Sequence, residues 1–225
     1  MPVSVEALPV ADDRTWGPAV LTRYHDALSR GLPLRISDET GATLSFDVGR
    51  WLRSSDADDE TVLARCTGPT LDIGCGPGRL VRALLVRGVP ALGVDVSEAA
   101  VGIARRNGAS ALRRSVFDEL PGEGRWTSAL LVDGNIGIGG NAPRLLSRVR
   151  DLLAPGGHVL VEVESGSAYV HFTAIVRGPD GEAVGSFPWI RIGAVPLTAL
   201  AEPLGFTLTE TWSSDHRHFV GLRRW

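Results

Sequence analysis

The segment Thr70-Leu71-Asp72-Ile73-Gly74-Cys75-Gly76-Pro77-Gly78-Arg79 sets three glycines at alternate positions, between a short apolar run and a helical one. Glycine at such a junction lets the backbone turn sharply and lets a ligand approach with no Cβ in the way. The next apolar run, Pro90–Val94, ends in Asp95, 23 positions after Asp72. A carboxylate at the end of that strand can accept hydrogen bonds from both hydroxyls of a ribose. Together these residues suit the binding of a nucleoside-containing cofactor. A dinucleotide fingerprint would need glycine where Arg79 stands.

The basic residues narrow the chemistry further. All 23 Lys/Arg positions are arginine. The absence of lysine excludes a pyridoxal phosphate Schiff base, an aldolase imine and a P-loop lysine. Arginine stays protonated, so a general base must come from histidine, a carboxylate or, less favourably, tyrosine. Three residues are candidates by position: His171 at the start of a strand-like run, Glu164 at the carboxyl end of the run before it, and His25 on an N-terminal helical segment. His158 starts a strand and reads as structural. His216 and His218 are one strand period apart, but no third ligand is evident and no metal site is inferred. Cys66 and Cys75 form neither a disulfide framework nor a metal-ligand cluster. Within the glycine turn, Cys75 reads as a small buried residue.

The alternate glycines preceded by Leu-Asp-Ile resemble the first motif of class I S-adenosylmethionine-dependent methyltransferases. Gly93-Val94-Asp95-Val96-Ser97 resembles that family's second-strand motif, and Ser115-Val116-Phe117-Asp118 the segment after its third strand. Leu152-Leu153-Ala154-Pro155-Gly156-Gly157-His158-Val159-Leu160 is similar to its turn into the fifth strand. The resemblance covers about 66–165. It implies a Rossmann-like, doubly wound α/β fold with a seven-stranded sheet whose last strand is antiparallel. It also implies S-adenosyl-L-methionine as cofactor. The implied contacts are Asp72, Gly74, Cys75, Gly76 and Gly78 in the turn, and Asp95 with Val96 at the ribose. Phe117 is expected on the adenine ring and Asp118 at its amino group. Asp133, Gly134 and Asn135 follow the fourth strand, where the family holds the methionine end of the cofactor and the acceptor. The N-terminal helix commonly forms a lid in this family, which makes Trp16, Tyr24 and His25 lid residues. The alternative for Trp16 and Tyr24 is ordinary core packing.

Asp133-Gly134-Asn135-Ile136-Gly137-Ile138-Gly139-Gly140 carries four glycines in eight residues. The run reads either as a close-approach site for a ligand or as a flexible loop before the helix at Pro143. It lacks the Asn/Asp-Pro-Pro-Tyr pattern of adenine or glutamine amino-group methyltransferases, and the chain has no Pro-Cys pair of the cytosine-C5 kind. With a formal net charge of −3, these absences disfavour a nucleic-acid acceptor and leave a small organic molecule as the expected one. A segment at about 169–192, centred on the turn Gly178-Pro179-Asp180-Gly181, carries Phe172, Phe187, Trp189 and Ile190. It reads either as an apolar acceptor wall packed on the N-terminal helix or as a homodimer surface.

These residues need elements to position them. From Pro69 onward, strand and helix patterns alternate, which implies a parallel sheet covered on both faces. The expected strands are Thr70–Ile73, Pro90–Val94, Ala111–Ser115, Thr127–Val132 and His158–Val163, followed by an antiparallel pair Phe206–Trp212 and His218–Leu222. Residues 1–65 read as a prelude packed on a core of 66–225. The prelude holds an extended first ten residues, a helix over Trp16–Ser29, a hairpin around Asp38-Glu39-Thr40-Gly41, and a helix over 56–65 capped by Ser55. No apolar run is long enough to span a bilayer, and the first residues lack a signal peptide's basic start and apolar core, so a cytoplasmic protein is expected. The sequence thus points to methyl transfer from S-adenosylmethionine to a small organic molecule. The competing reading is a non-catalytic S-adenosylmethionine-binding regulatory or assembly subunit. A nicotinamide-dependent reductase is opposed by Arg79.

Overall fold

A computed structural model describes residues 16–225. The expected extension of the first ten residues, and Asp12 and Asp13 ahead of the first helix, lie outside the described residues. Five parallel strands build the centre: β3 (Thr70–Ile73), β4 (Ala91–Asp95), β5 (Ala111–Arg113), β6 (Trp126–Leu131) and β7 (Leu153–Val163). An antiparallel pair, β10 (Phe206–Ser214) and β11 (Arg217–Arg224), completes the sheet in the order β10-β11-β7-β6-β3-β4-β5. β11 runs antiparallel to β7, so the last strand is the reversed one, as expected. The chain leaves β3 toward β4 and β5 on one side and returns through β6 and β7 on the other. The switch point therefore lies between β3 and β6, where α/β sheets bind ligands.

Successive strand residues face opposite ways, and the two faces bury separate apolar clusters. On β6, Ala129 and Leu131 face one side, with α1 (Pro18–Arg30), α6 (Ala142–Leu152) and α7 (Ala194–Ala201). Leu130 and Val132 face the other, with α3 (Ala57–Leu63), α4 (Arg79–Val86) and α5 (Glu98–Arg106).

The N-terminal hairpin and the later insertion are parts of one structure. β1 (Leu34–Ser37) and β2 (Thr43–Phe46) join β8 (Tyr169–Arg177) and β9 (Ala183–Ile192) in a second sheet, ordered β2-β1-β8-β9. Ile36 pairs with Val176 across that seam. Phe187, Trp189 and Ile190 are buried within the chain, and Phe187 packs on Trp16. The apolar hairpin therefore packs on the N-terminal segment, and these three side chains are not an exposed dimer surface.

Other boundaries shift for local reasons. Asp56, not Ser55, caps α3: its side chain accepts from Asp59 N–H while the Asp59 carboxylate accepts from Asp56 N–H. This reciprocal cap outcompetes a lone hydroxyl one residue earlier. The glycine-rich run is not a loose loop. Asn135–Gly140 forms short 3₁₀ structure kinked at Ile138 and Gly139, in which Ile136–Gly140 are buried, followed by α6 with Asn141 capping at Arg144 N–H. A short helix α2 (Val48–Trp51), capped by Asp47, was not legible in the sequence. Among the described residues no helix is long and apolar enough to cross a membrane.

Candidate active site

A cleft opens at the switch point, lined by the glycine turn after β3, the ends of β4 and β5, the start of the 3₁₀ turn after β6, and aromatic residues from α1, β2, α2 and β9. Its atom-free space, counted with the open solvent at its mouth, is ≈ 880 Å³. One half is built for a polar ligand and the other is aromatic.

In the polar half, Gly74 and Gly76 have φ of 73° and 52°, the left-handed region that favours glycine. A Cβ at Gly74 would overlap the Asn135 side chain. Asn135 donates through Nδ2 to the carbonyls of Ile73 and Gly74 (2.8 and 3.0 Å), so its amide ties the two loops together. Asp95 accepts from Gly76 N–H (2.9 Å) and Ser97 N–H (2.8 Å), one bond on each carboxylate oxygen. Desolvation in the cleft raises its pKa, and those two backbone donors oppose the rise. Val96, Arg114 and Val116 line the adjoining wall.

The floor is an ion network. Arg79 is buried and holds Asp59 through Nε and Nη2 (2.9 and 2.8 Å) and Asp133 through Nη1 (2.6 Å). Asp133 also accepts from Arg50 (3.0 Å) and Arg217 (3.3 Å), and its N–H donates to Glu162 (2.6 Å). These bonds hold Asp133 at φ 58°, an uncommon conformation for a non-glycine residue that marks stored strain at a ligand site. Guanidinium groups of three arginines thus occupy both Asp133 carboxylate oxygens.

The aromatic half closes on itself. Trp16 contacts Tyr24 (centroids 5.6 Å apart), Tyr24 contacts Trp51 (6.1 Å) and Trp51 contacts Phe46 (5.9 Å). Phe46 contacts Trp189 (6.3 Å), Trp189 contacts Phe187 (5.6 Å), and Phe187 returns to Trp16 (4.8 Å). All six rings line the cleft. The Tyr24 hydroxyl has no hydrogen-bond partner among the described residues, and a Cβ added at Gly76 would stand 3.3 Å from it. Burial raises the Tyr24 pKa well above its ordinary value, and Asp95, Cys75 and Asp133 raise it further, so Tyr24 is a donor rather than a base.

Several expected site residues lie elsewhere. Asp72 is buried beneath the turn, outside the cleft lining; desolvation pushes its pKa up to about 7, and Arg79 opposes that shift. Gly78 starts α4, where a Cβ would press on Ala104 and Ala109, so its role is helix packing. Cys75 lines the cleft, but its side chain fills the space over Gly93 and burial raises its pKa well above the ordinary value, which removes it as a nucleophile. Phe117 lies under the Arg144 guanidinium (4.0 Å), and Asp118 accepts from Ser115 N–H. Val116, one residue earlier, takes the cleft position.

The three proposed bases also fall outside the cleft. His25 is exposed on α1, next to the buried Tyr24 but outside the lining. His171 is exposed on β8 against Tyr169 (4.3 Å), with its pKa lowered by partial burial. Glu164 accepts from Arg191 Nε and Nη2 (2.9 and 2.6 Å), which lowers its pKa. It lines a second, polar pocket with Gly134, Arg191 and His218, which shares Phe46 and Trp189 with the main cleft. Phe46, Trp51 and Val116 were missed. Phe46 was legible only as an apolar strand residue, and Trp51 carried no signal.

Residues 49–192 match a family model described as a methyltransferase domain. The match covers more than half of the chain, and the chain belongs to that methyltransferase family. Among curated proteins no significant sequence match is found. Solved structures share the fold. A methyltransferase from Bacteroides fragilis, crystallised with S-adenosyl-L-homocysteine, superposes with a TM-score of 0.73 at 22% identity, over 96% of this chain and 97% of that one. The 1,6-didemethyltoxoflavin-N1-methyltransferase of Burkholderia thailandensis superposes with a TM-score of 0.65 at 18% identity, over 97% and 93%. A protein of echinomycin biosynthesis, solved for the conversion of a disulfide bond into a thioacetal group, gives 0.60 at 18% identity, over 91% and 93%.

Proposed function

We propose that this protein transfers a methyl group from S-adenosylmethionine to a small organic molecule. The observation that carries the reading is the convergence of the glycine turn, the oriented Asp95 carboxylate and an aromatic chamber on one cleft at the switch point. The donor set fits the cofactor: Gly74 and Gly76 leave a cradle that a Cβ would fill, and Asp95 keeps lone pairs for two ribose hydroxyls. When bound, the sulfonium supplies a methyl group already activated by positive charge. The residues then divide the work. Val96 and Val116 flank the adenine in place of Phe117 and Asp118. Tyr24 donates its free hydroxyl to the methionine end beside Gly76. Asp133, strained and neutralised by arginines, shapes the loop without carrying a net charge into it.

No described side chain in the chamber is a competent base, so catalysis rests on positioning and exclusion of water. A small-molecule acceptor is supported by the didemethyltoxoflavin enzyme, a structural neighbour solved with its small-molecule ligand. The donor is a cytoplasmic metabolite, and the activity is assigned to that compartment. Calorimetry with S-adenosylhomocysteine tests the reading directly: saturable binding at one site per chain is expected, and no binding overturns it.

A further inference from the structure

From the closed ring of six aromatic side chains, we infer that the methyl acceptor is a flat, uncharged aromatic molecule seated against Trp189, Phe46 and Phe187. The inference rests on the methyltransferase reading and names the acceptor's class. Each ring in the circuit Trp16–Tyr24–Trp51–Phe46–Trp189–Phe187 touches the next, with centroids 4.8 to 6.3 Å apart. Four of the six contacts are edge-on, with interplanar angles of 80–83°. Edge-to-face contact is a favoured geometry for aromatic pairs, so the circuit holds its rings in fixed positions beside the cleft, where a planar aromatic guest can pack on them. The rings pack into the core on one side, and all six also border the cleft.

The charge of the guest follows from what surrounds the rings. Aromatic faces also attract cations, so an ammonium acceptor must be weighed. The charged cleft residues are Arg79, Arg114, Asp95 and Asp133, which sum to zero, and Asp133 is already paired to three arginines. Nothing in the lining offsets a second cation placed beside a sulfonium. Repulsion between two such charges in a low-dielectric chamber is large. A neutral guest avoids it.

The second pocket supplies a polar margin. Phe46 and Trp189 border both spaces, so an acceptor lying across them has one edge toward Glu164, Arg191 and His218. That edge can carry hydroxyl or carbonyl groups without altering the requirement for flatness in the chamber.

Three probes separate the alternatives on the full-length protein, with and without saturating S-adenosylmethionine, whose sulfonium the charge argument requires: coumarin (flat, neutral), octahydrocoumarin (puckered, neutral) and N-methylquinolinium (flat, cationic). Coumarin is expected to bind at least tenfold more tightly than either competitor by calorimetry. Trp189→Leu and Phe46→Leu should each weaken coumarin at least tenfold and leave S-adenosylhomocysteine affinity within twofold. Equal binding of octahydrocoumarin removes the flatness argument, and tighter binding of N-methylquinolinium reverses the charge argument. Coumarin affinity unchanged in the variants places the acceptor elsewhere. If Trp189→Leu does not fold, the half-buried Phe46 carries the same comparison. Absence of S-adenosylhomocysteine binding by the parent protein would sink the methyltransferase reading, whereas the ranking of the three probes, with that binding intact, decides the acceptor class.

Discussion

Asp72 and Asp95 stand near the carboxyl ends of the neighbouring strands β3 and β4 and carry opposite consequences. Asp95 is held by two backbone N–H groups and faces the cleft. Asp95→Asn keeps the shape but removes the charge that strengthens bonds to the ribose hydroxyls. Hydrogen bonds to a charged group are worth roughly 1.5–3 kcal/mol, so S-adenosylhomocysteine affinity should fall about 10- to 100-fold by calorimetry. Unchanged affinity would remove the ribose assignment. Asp72 has no such outlet. Its pKa rises from an ordinary 3.8 to about 7 on folding, because burial disfavours the charge. A raised acid pKa means the folded state holds the proton longer than the unfolded chain, so stability falls as pH climbs from about 4 to about 7. Asp72→Asn, a mimic of the protonated acid, should therefore be more stable than the parent at pH 8, by on the order of 2–4 kcal/mol. The gain should vanish below about pH 4. Thermal unfolding at pH 4 and pH 8 measures it, and a variant less stable at pH 8 would contradict the assignment. Both aspartates were legible in the sequence, because a strand-end acid is a local signal. Which of them opens onto the cleft was not, since both lie on one sheet face and differ in depth: Asp72 is level with Gly93, and Asp95 lies two residues nearer the strand ends.

At the scale of elements, the polar half of the site was readable and the aromatic half was not. The glycine turn, β3 and β4 lie within about 25 consecutive residues, and their spacing alone brings Gly74, Gly76 and Asp95 together. The aromatic circuit draws on α1, β2, α2 and β9, separated by as many as 170 residues, and it exists only because β1 pairs with β8. Trp189 and Phe187 were visible as an apolar wall, but Phe46 and Trp51 gave no reason to be joined to it. The cleft lining takes Val116, one residue before Phe117 and two before Asp118, a shift small enough to be invisible in a loop. The buried 3₁₀ turn shows how tightly these elements meet. A Cβ at Gly137 would overlap the Trp189 ring, and Gly137 does not need a left-handed φ, so the conflict is purely steric. Gly137→Ala should cost about 1–3 kcal/mol of stability through overpacking. It should also weaken coumarin binding by displacing Trp189. A fully stable variant with unaltered coumarin affinity would show that Trp189 is free to move.

For the whole molecule, the question is whether residues 1–65 are an appendage or a structural part. The expected division at residue 66 separates a prelude from a core, but the contacts cross it repeatedly. Asp59 on α3 is fully buried and bonds Arg79 on α4 and Arg217 on β11, while Arg50 on α2 reaches Asp133 after β6. β1 supplies the partner strand for β8. Removing one member of a buried ion network leaves uncompensated charge and costs about 3–5 kcal/mol, a large share of a typical domain's stability. Asp59→Ala should show that loss in denaturant unfolding at pH 7. The network's pH dependence is opposite to that of Asp72. Arg79, Arg50 and Arg217 overcome the burial of Asp59 and lower its pKa to about 2. A depressed acid pKa contributes stability that is present above about pH 4 and is lost as pH falls through about 2. The parent and Asp59→Ala should therefore converge in stability toward pH 2. The same contacts argue that residues 66–225 do not fold alone. That chain would carry Arg79 and Arg217 without Asp59, an unpaired β8 edge and an aromatic chamber missing four of its six rings. The truncated chain should show no cooperative thermal transition and no S-adenosylhomocysteine binding. A cooperative transition in that chain would establish residues 1–65 as a separable lid, and the ion network as a latch rather than a foundation.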